Sequence, residues 1–233
     1  MCCSIWIDCG HRNAEGIRLG IAATVLLIML IGGRIIPSFT RNWLVRQGPG
    51  RLPVPFGRFD MAVLAASGIT LICWVIAPES QLTAGLAVAA AALNLSRLAR
   101  WAGDRTAAEP LVLILHVAYA FVPIGFVLLA LGILWPDWVA PTGALHGWTV
   151  GAIGIMTLAV MTRASLGHTG HQLTASRPLH LIYLAAIVAA VARVAAAFDV
   201  LREPMLHLSA TAWVAAFCGF VIVYAPLCMC RSE

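Results

Sequence analysis

The chain contains no lysine. All fifteen basic residues are arginine, and against ten acidic residues they give a formal charge of +5. Guanidinium groups grip phosphate in a bidentate fork and suit lipid headgroups better than a nucleic-acid duplex, so no nucleic-acid partner is expected. Charge of either sign is scarce, at 11% of 233 residues, where ordinary globular domains carry about 25%. Intramembrane carboxylates are missing as well: Asp60 and Asp199 stand at the ends of apolar runs and no Asp or Glu is central to one, which weakens a reading as an ion-coupled transporter. There is no nucleophile and base pair and no glycine-rich phosphate loop, which argues against hydrolysis and phosphoryl transfer. The seven cysteines show no zinc-type paired spacing and no disulfide framework. Cys228-Met229-Cys230 offers soft sulfur ligands to Cu(I), although cysteine in a membrane helix is also a common small hydrophobe.

What is abundant is apolar sequence, 61% of the residues, gathered into blocks of bilayer-spanning length. Seven blocks run from Ile17 to Ile36, Phe59 to Ala77, Leu82 to Ala99, Pro110 to Leu134, Gly143 to Thr162, His180 to Phe198 and His207 to Cys228. They predict an all-α polytopic transmembrane helix bundle over 17–228, with an N-terminal segment at 1–16 and a short tail at 229–233. The first block ends in Gly32-Gly33-Arg34 without a cleavage pattern, so it is expected to stay as a span. The third contains Asn94, Ser96 and Arg97 and is the least apolar; Arg97 is expected to snorkel to the headgroups.

Orientation follows from arginine counts, because cytoplasmic loops carry the positive excess. Arg34, Arg41, Arg46, Arg51 and Arg58 follow the first span, Arg97, Arg100 and Arg105 the third, and Arg163 and Arg177 the fifth, whereas the connections after spans two and four contain no arginine. The alternation predicts an outside N-terminus and an inside C-terminus.

Ionisable groups in or beside spans are functional candidates, and seven histidines are available. His116 lies six residues into span four, ~9 Å from its inner boundary, while His146 begins span five at the outer boundary. The two are more than ~20 Å apart along the membrane normal and cannot share an ion. His116, His168, His171 and His180 form an inner group, and His146 and His207 an outer one. Two layers of imidazole suit stacked haem or metal sites, since neutral imidazole is a common ligand of haem iron and copper; histidines at span ends also serve as interfacial hydrogen-bonding residues. Within span five, Gly147, Gly151 and Gly154 make a shallow face for a neighbouring helix or a flat macrocycle. The same span is expected to give way to a polar turn, Met161 to His171, where Arg163 can hold an anionic group such as a propionate or a lipid phosphate.

The segment Met161-Thr162-Arg163-Ala164-Ser165-Leu166-Gly167-His168-Thr169-Gly170 resembles the signature of the NnrS family, bacterial inner-membrane proteins associated with nitric oxide metabolism and containing haem and copper. Gly32-Gly33-Arg34-Ile35-Ile36-Pro37-Ser38-Phe39-Thr40, Leu115-His116, Ala144-Leu145-His146 with Gly151, and Arg193 resemble further family segments in the same order, over residues 17 to 227. The resemblance implies a role in nitric oxide response, haem and copper as cofactors, and His116, His146 and His168 as the histidines that matter, with Arg163 on the cofactor and His171 and His207 as further metal ligands. Family members usually carry more spans, so the resemblance covers their C-terminal part, and a second chain or a homodimer would supply the missing half. His171 stands where the family pattern usually has arginine. The other reading is a transporter half or an accessory membrane protein without its own cofactor, in which Pro123 and Gly125 would break span four.

Overall fold

The structure, a computed structural model, describes the backbone of residues 2–229 apart from 171, 173 and 200, and the side chains of 14–226 with the same exceptions. Every long apolar block is helical: α1 (Cys2–Gln47), α2 (Arg58–Ile76), α3 (Gln81–Ala99), α4 (Pro110–Leu134), α5 (Thr142–His168), α6 (Arg177–Ala195) and α7 (Arg202–Met229). Among the described residues no strand occurs, and seven helices are long and apolar enough to cross a membrane. The protein is an all-α polytopic bundle whose apolar flanks contact lipid. The terminal divisions at 1–16 and 229–233, and the Cys228-Met229-Cys230 ligand set, fall largely outside the described side chains.

α4 is the axis. Both of its faces are apolar, and α1, α3 and α5 pack around it, burying His116, Tyr119, Phe121 and Phe126. α7 is the most peripheral helix, leaning on α6 and leaving Val214, Val221 and Ile222 exposed to the surrounding hydrocarbon. Helix starts follow local chemistry: Ser80 accepts from the Leu82 N–H, Glu109 from the Leu111 N–H with Pro110 at the first helical position, and Asp60 from the Gly57 N–H.

Two boundaries and the continuity of α4 differ from the sequence reading. α1 does not stop at Ile36 but continues through Pro37 to Gln47, because Ile36, Thr40 and Leu44 keep one face buried against the bundle. Its stretch Ala14–Gln47 is about 50 Å long, well beyond the ~30 Å hydrocarbon core. α5 runs helically through Thr162 to His168, and the turn comes at Thr169-Gly170, where Gly170 takes φ +71°. α4 is continuous across Pro123 and Gly125, so the broken helix of the transport reading is not formed.

α5 is π-helical over Gly147–Ile155. The wider turn accommodates large neighbours on its glycines. A Cβ on Gly151 would stand 2.8 Å from the Phe121 Cβ, and one on Gly154 would run into the Trp213 ring, 2.7 Å from its Cζ3. The glycine face is therefore filled by α4 and α7, which takes the place a macrocycle would need. Trp148 is buried between Trp74 and Phe126, each 5.2 Å away edge to face, and donates its indole N–H to the Val122 carbonyl at 3.1 Å.

At one end the long loops are tied together. Val54 N–H donates to the Arg100 carbonyl, Arg51 donates to the Ala99 carbonyl and pairs with Asp104, and Arg105 donates to the Arg51 carbonyl. The Arg51 hydrogen bond holds the exposed Asp104 carboxyl below its ordinary range. A carboxyl depressed in the folded state adds stability while ionised and loses it as pH falls through that range. Asp104→Asn is thus expected to lower the melting temperature slightly at pH 7 in low salt, and the gap to wild type is expected to close at pH 3 or in 1 M salt.

Candidate functional site

His116 sits on α4 with 5% of its surface exposed. Its Nε2 lies 2.9 Å from the Thr40 hydroxyl of α1, and that hydroxyl donates its one proton to the Ile36 carbonyl at 2.8 Å. Thr40 therefore accepts from Nε2–H, which fixes the tautomer by the hydrogen-bond network and leaves Nδ1 unprotonated. Nδ1 is buried and has no hydrogen-bond partner among the described residues. Gly103, in the short turn between α3 and α4, closes over the ring: a Cβ there would lie 2.9 Å from Cγ and Nδ1. Trp101 flanks the imidazole with ring centroids 6.4 Å apart.

One turn deeper stands a charged cluster that composition hides. Arg97 is fully buried, and it does not snorkel. Its Nε donates to Asp60 Oδ1 at 2.8 Å, and its Nη1 donates to the Met29 carbonyl at 2.9 Å and the Tyr119 hydroxyl at 3.0 Å. Tyr119 donates in turn to Asn94 Oδ1, and Asn94 to Ser67. The guanidinium carbon is 5.3 Å from the Trp101 ring centre. The Arg97 headgroup presses on α1 at Gly33, where a Cβ would come within 2.6 Å of Cζ. The α1 stretch from Gly33 to Thr40 thus meets Arg97 at Gly33, Arg163 of α5 at Phe39, 4.0 Å from the ring centre, and His116 at Thr40.

The other sequence candidates are scattered. His168 is exposed at the end of α5, His180 is exposed and its Nδ1 lies 2.8 Å from the Ser176 carbonyl, and His171 lies outside the described residues. No described contact joins His116 to His168. At the opposite end His146 is half-buried and lines a polar cavity of about 290 Å³ with Arg193, Thr142 and Trp138. His207 is exposed and does not line it. Among the described residues no three His, Cys, Asp or Glu side chains gather into a metal site. His116 fits a metal as one neutral imidazole ligand, oriented by Thr40, and no second donor of the described chain stands with it. Thr40, Arg97, Asp60 and Tyr119 were not picked out by sequence. For Arg97 the signal was the spacing of Ala87, Ala90, Ala91, Asn94 and Arg97, which puts the polar residues of α3 on its small-residue face; no such pattern marks Thr40, Asp60 or Tyr119.

No curated protein and no solved structure matches this sequence. The sequence model of the NnrS protein family does, over residues 3–231. That match extends past both ends of the 17–227 resemblance and takes in the α1 stretch, His116, Arg97 and the α5 signature together, and the chain belongs to the NnrS family.

Proposed function

We propose that this NnrS-family membrane protein serves the nitric oxide response of a bacterium, in the inner membrane with its N-terminus outside, and that His116 is its ligand to a haem or copper centre. The observation that supports this reading is the buried Nδ1 of His116, which has no hydrogen-bond partner among the described residues while Thr40 holds the ring from the Nε2 side. A buried ring nitrogen without a partner is costly to keep unless something binds it. The metal, when bound, supplies the orbital to which nitric oxide attaches; the chain supplies orientation, a dry surround from Trp101 and Gly103, and the Nε2–H bond that raises the basicity of Nδ1. With one donor among the described residues, this reading requires Gly103 and Trp101 to move off Nδ1 on binding and further ligands to be supplied by a second chain or a second copy.

The test is metal and haem content of the detergent-purified protein, with its visible spectrum. Wild type is expected to carry metal, His116→Ala to carry none, and Thr40→Val to bind roughly 10- to 100-fold more weakly. His146→Ala and His168→Ala are expected to retain it. A wild type purified from its native membrane without metal or haem would sink the proposal.

A further inference from the structure

Between α1 and α5 runs an open apolar groove in two adjoining stretches of about 370 and 340 Å³, which share Ile35, Leu115 and Val160. On α1 it extends from Thr24 to Phe39 and on α5 from Ile153 to Gly167, so the two helices run parallel along it for about 20 Å. That exceeds the ~15 Å of one leaflet's hydrocarbon. Its walls are almost wholly aliphatic, with Met156 and Met161 as the adaptable fillers. One charged side chain stands on it, Arg163, at the end nearest the His168 terminus of α5. Arg163 is half-buried, its guanidinium lies against the Phe39 ring, and no described ion pair joins it to a carboxylate. Arg46 adds to the positive field there and Glu109 opposes it.

We propose that this groove is a binding site for one anionic phospholipid, with an acyl chain along α1 and α5 and the phosphate on Arg163. Length, apolar walls and a single unpaired guanidinium at the headgroup end match that amphiphile, and a guanidinium fork recognises phosphate in two parallel hydrogen bonds. The site is independent of His116, which does not line the groove.

The experiment is native mass spectrometry of the full chain after delipidation and exposure to vesicles of phosphatidylglycerol or phosphatidylcholine. Wild type is expected to retain one phosphatidylglycerol, preferred roughly tenfold over phosphatidylcholine. Arg163→Gln is expected to erase the preference, and Val160→Trp, at a half-exposed position, to abolish retention of both. Unchanged melting temperatures establish that the variants fold. Equal retention of the two lipids by wild type, an Arg163→Gln protein that keeps its preference, displacement by millimolar inorganic phosphate, or a porphyrin mass in the groove variant's place would each overturn the site.

Discussion

Asp60→Ala is expected to destabilise the protein by about 3–5 kcal/mol, because it strands the Arg97 guanidinium in the bundle without its counter-charge. Arg97 and Asp60 are both buried and 2.8 Å apart, and the remaining partners, the Met29 carbonyl and the Tyr119 hydroxyl, are neutral. The pair as a whole has a different value. Taking two charges out of water costs several kcal/mol that their attraction only offsets, so Asp60→Leu combined with Arg97→Met is expected to recover most of the loss. Reversible unfolding in mixed micelles, run on both single variants and the double variant, reads this directly. A double variant as unstable as the sum of the singles would show that the two residues act separately.

Gly151→Ala is expected to destabilise the bundle by about 1–3 kcal/mol. The new carbon would meet Phe121 at its Cβ, 2.8 Å away, and a Cβ cannot rotate aside, so α4 and α5 must separate. Separation would loosen Trp148, whose N–H bond to Val122 and edge contacts to Trp74 and Phe126 tie α2, α4 and α5 together. Gly167 offers the control, since nothing lies within 4 Å of a Cβ there. Gly167→Ala is expected to be neutral or to add up to ~1 kcal/mol by helix propensity. Equal effects at the two positions would contradict the packing assigned to the glycine face.

Apolar runs made the seven helices legible, because length and hydropathy alone decide what can cross a bilayer. Helix ends were less legible at α1 and α5, where polar residues such as Thr40 and Thr162 are buried by partners that sequence does not name: His116 for the first, Tyr183 at 2.5 Å for the second. His116 was legible as an ionisable group six residues inside a span, whereas its tautomer depends on Thr40, 76 residues away. Arg97 was misjudged because snorkelling is the common fate of arginine near a helix end. What decides against it is Gly33 on a neighbouring helix, which opens the room for its headgroup. The grouping of histidines by membrane level placed His116 and His168 together, yet the direction a side chain leaves its helix matters as much as depth, and His168 points out of the bundle.

The most direct test of His116 as the seat of nitric oxide chemistry is anaerobic addition of nitric oxide to the purified protein, followed by visible and electron paramagnetic resonance spectra. The wild type is predicted to give a metal nitrosyl signal at one site per chain that His116→Ala lacks and His168→Ala keeps. A wild type that carries metal but gives no such signal, or a His116→Ala protein that gives it undiminished, would contradict the assignment.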